Sequence, residues 1–348
     1  MMNNTKEKTD GKDRVFLRVA NLKKYFPIEK GFSRRVIGHV KAVDDVSFDI
    51  HYGETLGLVG ESGSGKTTTG RCIIGAYPVT GGAIFLRPDQ NSNEMVELTK
   101  LSRKERLEYQ PLMNMIFQDP YSSLDPRWNV FNIISEAMRH SKKYTKEQIE
   151  MRVGELMTMV GLNETQIKNY PHAFSGGQRQ RIGIARALAT SPQLVVADEP
   201  VSALDVSIQA QILNLLASLQ KELDLTLLFI AHNLGVVEHI SDRIGVMYVG
   251  KIVELASKVD IFTQPRHPYT EALFSSVLNP DPFTKRERII LKGEIPNPAS
   301  PPSGCHFHPR CRYAIDKCSK ETPVWGEIIS AHFAACHRAK ELTLRGPL

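Results

Sequence analysis

The stretch Thr55-Leu56-Gly57-Leu58-Val59-Gly60-Glu61-Ser62-Gly63-Ser64-Gly65-Lys66-Thr67 decides the fold of this 348-residue chain. It begins with a short apolar run, which predicts a buried strand. The run leads into G-x-x-x-x-G-K-[ST], matched at every fixed position. Glycines in such a loop let successive N–H groups face phosphate oxygens, and the following helix adds a partial positive charge. Strand, loop and a helix beginning near Lys66 together predict a nucleotide-binding site.

The loop, residues 60–67, is expected to hold ATP through its backbone and two side chains. Lys66 should reach the β- and γ-phosphates, and Thr67 should hold Mg²⁺. A flexible glycine loop with a chance lysine is disfavoured, because strand, loop and helix agree. The predicted ATP-binding residues here are Gly60, Glu61, Ser62, Gly63, Ser64, Gly65, Lys66, Thr67 and Thr68.

Two carboxylates follow a second apolar run, Leu194-Val195-Val196-Ala197, at Asp198 and Glu199. In parallel α/β sheets the carboxyl ends of the strands line the ligand crevice. Asp198 is therefore expected to bind Mg²⁺, and Glu199 to polarise the attacking water as a general base. Taken alone, Asp198 and Glu199 would indicate an acidic turn before Pro200. Because the same sequence also contains the phosphate loop, the catalytic interpretation is favoured.

Strand-like and helix-like segments alternate along the chain, which predicts an α/β fold with a parallel sheet covered on both faces. Residues 129–189 and 208–223 have helical patterns, whereas residues 225–230 and 243–249 have strand patterns. Residues 87–110 are polar and predict irregular structure. Prolines crowd the chain after Thr263 and predict a loop-rich appendage.

Composition limits the possible functions. Hydrophobic residues make up 41% of the chain and charged residues 24%, as in ordinary globular proteins. The net charge is +6, but the sequence contains no run of five or more like charges, so a nucleic-acid-binding tail is not expected. No apolar stretch approaches the ~18 residues of a spanning helix, and no signal-peptide pattern stands at the N-terminus. We therefore expect a cytosolic location, with any membrane pore supplied by other chains.

Six motifs in one order resemble those of the ABC ATPase family. Gln118 resembles the Q-loop glutamine and His232 the switch histidine, while Phe174 stands where the signature usually has Leu. The other four are the phosphate loop, the carboxylate pair, the signature Ser175-Gly176-Gly177-Gln178 and a D-loop ending at Asp205. The resemblance implies catalytic roles for Glu199, His232 and Gln118, and Mg²⁺ ligation by Thr67, Gln118 and Asp198. It also implies that the signature contacts ATP held by a second, head-to-tail ATPase chain.

The same resemblance implies a P-loop NTPase fold. Its parts would be a RecA-like parallel sheet core, an antiparallel β subdomain and an inserted α-helical subdomain at about 119–190. The predicted domains are a disordered N-terminus at 1–13, an ABC ATPase domain at 14–262 and a cysteine-containing extension at 263–348. Phe26 resembles the residue that stacks on adenine; Tyr25 is the alternative, and a purely structural aromatic is the third interpretation.

Flanking segments narrow the resemblance to the oligopeptide and dipeptide importer ATPases, specifically the F-type subunit. They are residues 23–27, 38–44, 118–127, 267–270 and 304–311. This resemblance implies a D-type ATPase partner, two transmembrane permease subunits and an extracytoplasmic peptide-binding protein, with the chain peripheral on the cytoplasmic face of the cell membrane. Residues 121–127 would contact the permeases, or form an ordinary Pro-rich loop. Nickel import, a phosphonate-related role and a non-transport role on nucleic acid or ribosomes remain alternatives.

Four cysteines lie near the C-terminus, at Cys305, Cys311, Cys318 and Cys336. In a cytosolic protein such a group indicates metal more than disulfides. Four thiolates can bind an iron–sulfur cluster or one zinc ion, and the subfamily resemblance implies a [4Fe–4S] cluster. Reduced cysteines without metal are the second interpretation and zinc the third. The histidines nearby that could replace a ligand are His306, His308, His332 and His337.

Overall fold

A computed structural model describes residues 14–31, 34–141, 143–275 and 289–347. Residues 1–13, predicted to be disordered, lie outside the described residues. The strands are β1 (Val15–Lys30), β2 (Arg35–His51), β3 (Thr55–Val59), β4 (Gly81–Leu86), β5 (Val96–Glu97), β6 (Met113–Ile116), β7 (Leu194–Asp198), β8 (Thr226–Ala231), β9 (Arg243–Tyr248), β10 (Lys251–Ser257), β11 (Gly326–Ile329) and β12 (His332–Ala334).

The α-helices are α1 (Lys66–Ile73), α2 (Arg103–Tyr109), α3 (Val130–Ser141), α4 (Lys146–Met159), α5 (Gly176–Leu188), α6 (Val206–Glu222), α7 (Leu234–Ile240), α8 (Lys258–Thr263), α9 (Pro268–Ser275) and α10 (Asp316–Lys320). Single 3₁₀ turns occur at Gln110–Leu112, Glu164–Gln166, Pro171–Ala173 and His308–Arg310.

Two compact units make up the chain. The first consists of Met1–Leu17, Ile50–Glu54 and Phe85–Ile230, and the second of Arg18–Asp49, Thr55–Ile84 and Ala231–Leu348. The predicted domain boundaries at 13/14 and 262/263 stay a prediction.

In the first unit, β6, β7 and β8 form a parallel sheet in that spatial order. Every residue of β7 is buried, and so is every residue of β8. Continuous apolar strands of this kind are expected where helices cover both faces of a sheet. The parallel arrangement places the carboxyl end of β7, and hence Asp198, at one edge of the sheet.

The helical section of the first unit contains α3, α4 and α5, which pack against one another. Both α4 and α5 begin with a capping box, in which Thr145 pairs with Gln148 and Ser175 with Gln178. Each box satisfies two backbone donors that the first turn leaves unpaired. The helical section is interrupted twice, since α4 ends just before Gly161 and a 3₁₀ turn begins at Pro171.

In the second unit, β3 pairs parallel with β9, and β9 pairs antiparallel with β10. The strands β12 and β11 continue this sheet beyond β10. The strands β2, β1 and β4 lie side by side in a different sheet, and the end of β4 pairs antiparallel with β5. The mixture of parallel and antiparallel sheets with a helical section confirms the predicted fold class.

Two expectations about local structure were incomplete. Residues 87–110 contain β5 and α2, and α2 starts with a capping box between Ser102 and Glu105. The extension, predicted to be mainly loops, contributes α9, α10 and the pair β11 and β12. Within the described part of the chain, no helix is both long and apolar enough to cross a bilayer.

Candidate functional site

The phosphate loop curls tightly between β3 and α1, and its glycines are needed for both backbone conformation and space. Gly60 and Gly65 adopt φ of 150° and 107°. A Cβ atom at Gly60 would lie 2.2 Å from the carbonyl oxygen of Met247, and one at Gly65 would lie 2.2 Å from that of Ala42. Residues with a side chain avoid these conformations, so only glycine fits.

Lys66, the first residue of α1, turns its side chain back over this loop. Its Nζ donates to the carbonyl oxygens of Gly60 at 2.8 Å and Glu61 at 3.0 Å. The residue is only 4% exposed. The loop backbone therefore holds a buried positive charge in its own curl, where a polyphosphate would be attracted.

The carboxylate pair lies at the end of β7 in the first unit. Asp198 is 1% exposed, and Glu199 adopts the left-handed φ of 45°. The Glu199 backbone is fixed on both sides, because its N–H donates to Ile230 and its carbonyl accepts from the Ser202 backbone and hydroxyl. A non-glycine residue held in this region indicates a functional constraint on where its side chain points.

Gln118 lies two residues beyond β6 and directly contacts Glu199 of this pair. Its Nε2 donates to Oε2 of Glu199 at 3.0 Å. Adjacent parallel strands β6 and β7 bring the two side chains together at their carboxyl ends. Two of the predicted catalytic residues therefore meet within one unit.

The signature begins α5 of the first unit. Ser175 is the N-cap residue, accepting from the Gln178 N–H while the Gln178 side chain accepts from the Ser175 N–H. A Cβ atom at Gly177 would lie 2.6 Å from Cγ2 of Ile208, so glycine is required for close packing. Phe174, the departure from the usual pattern, is buried. The arrangement leaves a polar helix start of the kind that binds anions.

Of the remaining predicted residues, Asp205 and His232 lie at element ends, whereas Phe26 lies within β1. Asp205 is the exposed N-cap residue of α6, and His232 is exposed directly after β8. Phe26 packs its edge on Tyr77 with ring centroids 5.5 Å apart, and Lys24 places its ammonium 4.7 Å above the Phe26 ring. The Tyr25 hydroxyl instead donates to Asp44. Burial and that carboxylate raise the pKa of Tyr25.

The four C-terminal cysteines of the second unit border one small cavity. None of the chain's cysteines, all of which the structure describes, forms a disulfide. Burial raises the pKa of Cys311 to about 11 and that of Cys336 to about 12, so both thiols are neutral at pH 7. Among the described residues, no three His, Cys, Asp or Glu side chains are grouped so as to hold a metal ion. The cysteines thus share a cavity without meeting at one point.

The candidate histidine ligands separate into two groups. His308 and His337 line the cysteine cavity, whereas His306 and His332 do not. His306 contacts the Val249 carbonyl oxygen through Nδ1, and the buried His332 contacts Glu254 at 2.7 Å. The expectation that all four histidines could serve as ligands was therefore wrong for His306 and His332, because other partners hold their rings.

Sequence reasoning missed two residues that contact the phosphate loop from outside and a third that supports them. The Arg310 guanidinium forms an ion pair with the Glu61 carboxylate at 2.7 Å, and the Tyr269 hydroxyl accepts from the Glu61 N–H at 2.9 Å. Tyr248 lies beside both. The segment containing Tyr269 was recognised only as a subfamily feature, and no sequence pattern assigned Arg310 a partner.

Comparisons with known proteins agree with this geometry. The family model "ABC transporter" matches residues 43–202, and the model "Oligopeptide/dipeptide transporter, C-terminal region" matches residues 253–318. A solved ATP-binding cassette, MJ0796 in a dimeric post-hydrolysis state with ADP and Pi, aligns with a TM-score of 0.60 and 25% identity, over 70% of this chain and 98% of that one. The phosphate loop, carboxylate pair and signature therefore define an ATP-hydrolysing cassette of the ABC type.

Relatives of known family narrow the class. The oligopeptide transport ATP-binding protein AppF of Bacillus subtilis is 50% identical, over 94% of this chain and 99% of the relative. A probable peptide ABC transporter ATP-binding protein of Sinorhizobium fredii, y4tS, is 46% identical, over 93% of this chain and 90% of the relative. The chain belongs to the ATP-binding subunits of ABC-type oligopeptide and dipeptide transporters, which confirms the predicted family.

Proposed function

We propose that this ATPase powers the import of dipeptides and oligopeptides across the cytoplasmic membrane. The observation that carries the proposal is similarity along almost the whole chain to an oligopeptide transport ATP-binding protein. The C-terminal match at residues 253–318 extends the similarity beyond the ATPase motifs. Those motifs alone would suit an ABC ATPase of any kind, so the extension favours peptide transport.

The phosphate loop supplies nucleotide binding. The β- and γ-phosphates of ATP are proposed to bind the Lys66 ammonium and the backbone amides of residues 60–68, which supply positive charge to the loop. The Glu61 amide is the exception, because its N–H donates to Tyr269. Thr67, Gln118 and Asp198 are the proposed ligands of Mg²⁺, which would neutralise charge on the phosphate oxygens. Phe26 is the proposed adenine contact, because the Tyr25 hydroxyl is occupied by Asp44.

Glu199 is proposed to orient and deprotonate the attacking water. The amide of Gln118 donates to its Oε2 and so orients the carboxylate. The left-handed backbone of Glu199, held by hydrogen bonds on both sides, fixes the direction of its Cα–Cβ bond. His232, exposed beyond β8, is the proposed switch residue for the terminal phosphate.

A second ATPase subunit of the D-type is the proposed partner in the nucleotide site. Ser175, Gly176, Gly177 and Gln178 would contact ATP bound by that partner, with Asp205 at the same interface. The helix start at Ser175 suits this role because α5 is long enough to present a partial positive charge to phosphate. Nucleotide binding would then close the pair and hydrolysis would release it.

Residues 121–127 are the proposed contact with the two permease subunits. Tyr121 is 59% exposed, and the Arg179 guanidinium lies 4.3 Å from its ring centroid. Arg179 belongs to α5, which begins at the signature, so movement at the signature would reach Tyr121 directly. The chain is accordingly proposed to be peripheral on the cytoplasmic face, with an extracytoplasmic binding protein delivering peptide.

A [4Fe–4S] cluster is the proposed occupant of the cysteine cavity. A single zinc ion needs its ligands within ~2.3 Å of one point, whereas a cluster holds each thiolate at a different corner. Four thiols around a shared cavity suit the second arrangement. Arg338 also lines the cavity, and its N–H donates to Sγ of Cys336 at 3.4 Å, which would stabilise thiolate charge. The cluster would stabilise the proline-rich C-terminal extension rather than transfer electrons.

Purification of the tagged chain from membranes, followed by mass spectrometry, tests the transport assignment. We expect two permease subunits, a second ABC ATPase and, after cross-linking, a peptide-binding protein. The Lys66→Ala variant should recover the same subunits, because the permease contact does not require ATP binding to this chain. Recovery of a nickel permease, of phosphonate-metabolism enzymes or of ribosomes in their place would overturn the proposal.

A further inference from the structure

The phosphate loop contains a carboxylate close to the proposed position of the nucleotide phosphates. Glu61 is the second residue of the loop, and its backbone carbonyl accepts from the Lys66 ammonium at 3.0 Å. A carboxylate so near the binding site of a polyphosphate repels it unless a cation neutralises the charge. The side chain is partly buried, which limits how far water can screen it.

Arg310 supplies that cation. Its Nη1 and Nη2 donate to the two Glu61 carboxylate oxygens at 2.7 and 3.1 Å, as a parallel fork. The Arg310 side chain is only 7% exposed. The hydrogen bonds that Arg310 donates to Glu61 raise the pKa of Arg310, so the charge is permanent. Bidentate pairs of this kind fix geometry as well as charge.

Tyr269 fixes the backbone of the same residue. Its buried hydroxyl accepts from the Glu61 N–H at 2.9 Å, and its ring packs on Tyr248 with centroids 4.6 Å apart. Phe307 completes this aromatic group against both tyrosines. The side chain and the backbone of Glu61 are thus both held by residues outside the ATPase motifs.

The segment that carries Arg310 is itself firmly placed. It forms a 3₁₀ turn at His308–Arg310 between Cys305 and Cys311, two of the cysteines that border the cavity. The Cys305 N–H donates to the Cys318 carbonyl oxygen at 2.8 Å. Gly304 adopts φ of 67°, and a Cβ atom there would lie 2.4 Å from that same oxygen. Arg310 therefore meets Glu61 from a defined position.

We infer that Arg310 is a positioning residue for ATP: by neutralising Glu61 and holding it away from the phosphates, it makes the C-terminal extension part of the nucleotide site. Tyr269 assists by fixing the Glu61 N–H. The competing interpretation is an ion pair that only attaches the extension to the rest of the second unit. The two interpretations differ in what happens when Glu61 itself loses its charge.

Titration calorimetry of the full-length chain with ADP distinguishes them. We expect Arg310→Gln to weaken ADP binding about tenfold, equivalent to ~1.4 kcal/mol, because Glu61 is left uncompensated. The double variant Glu61→Gln/Arg310→Gln should return to within about threefold of wild type, a large coupling for two residues in contact. A merely attaching ion pair would leave the double variant as weak as Arg310→Gln, and that result would overturn the inference.

Two further variants keep the test decisive if Arg310→Gln folds poorly. Arg310→Lys keeps the charge without the fork, so its ADP affinity should fall by about threefold at most; a loss of tenfold or more would contradict the charge argument. Arg312→Gln is the matched control, because Arg312 is half exposed and pairs with Glu271, which also accepts from Tyr313 and the Arg345 N–H. Weakened ADP binding in Arg312→Gln would likewise count against a specific role for Arg310.

Discussion

The side-chain amide of Gln118 donates a hydrogen bond to the Glu199 carboxylate at 3.0 Å, across 81 positions of sequence. The pairing of parallel strands β6 and β7 produces this contact. It joins the residue proposed to bind Mg²⁺ with the residue proposed to activate water. A substitution at either residue is therefore expected to alter the function of the other.

Replacing Glu199 by Gln tests the proposed base. Glu199→Gln keeps a hydrogen-bonding group of the same size but cannot accept a proton, so kcat for ATP hydrolysis should fall at least ~100-fold. ATP binding should persist, and ATP-bound pairs of ATPase subunits should accumulate. Size-exclusion chromatography and phosphate release measure the two effects.

The control for that variant is Glu222→Gln, at the exposed end of α6. Its hydrolysis rate should match that of wild type, since the position is a solvated surface. Hydrolysis by Glu199→Gln at the wild-type rate would remove Glu199 from the base role.

Alanine substitutions at two glycines of the phosphate loop distinguish the cost of backbone strain from the cost of steric overlap. Gly65→Ala would place Cβ 2.2 Å from the Ala42 carbonyl oxygen, whereas nothing lies within 4 Å of a Cβ atom at Gly63. Both have positive φ, so Gly63→Ala pays only the conformational cost of ~1–2 kcal/mol. We expect ADP binding to be lost in Gly65→Ala and merely weakened in Gly63→Ala. Equal affinities in calorimetry would show that the loop backbone differs from the one described.

Stability of the second unit should depend on the buried pair of Glu254 and His332. Both side chains are fully buried, 2.7 Å apart, and the Glu254 carboxylate also accepts from the Arg266 and His267 N–H groups. Glu254→Ala should therefore destabilise the fold by ~3–5 kcal/mol. Glu341→Ala, which breaks the more exposed pair with Arg338, is the comparison; exposed pairs contribute ~0–1 kcal/mol. Similar melting temperatures for the two variants would contradict this ranking.

Anaerobic purification tests the cysteine cavity. The full-length chain should contain iron and acid-labile sulfide, with broad visible absorption. Cys336→Ser should lose most of both, while Cys72→Ser should keep them, because Cys72 lies in α1 and does not line the cavity. A colourless wild-type protein free of iron would refute the cluster, and stoichiometric zinc would replace it with the alternative ion.

Local patterns were enough to predict the core. The strands β3 and β7 are continuous apolar runs, and every residue in them is buried. A strand, a glycine-rich loop and a helix also appear in the predicted order, because Gly60 and Gly65 permit the positive φ that the tight loop requires. The strands β11 and β12 were missed, since three or four residues are too few to show an alternating pattern.

Long-range contacts outside known motifs were beyond the sequence. Arg310 and Glu61 lie 249 positions apart, and nothing in either neighbourhood indicates a partner. Similarly, spacing could not separate His308, which lines the cysteine cavity, from His306, which contacts Val249.

Uptake of a labelled oligopeptide into proteoliposomes tests the central claim most directly. The vesicles would contain the permeases, both ATPases and the binding protein. Mg·ATP would be supplied on the side of the membrane to which the ATPases are bound. Transport should require ATP, and Lys66→Ala in this chain should reduce it at least ~10-fold, because the phosphates lose their lysine. Undiminished peptide uptake with Lys66→Ala, or with the chain omitted, would contradict the account.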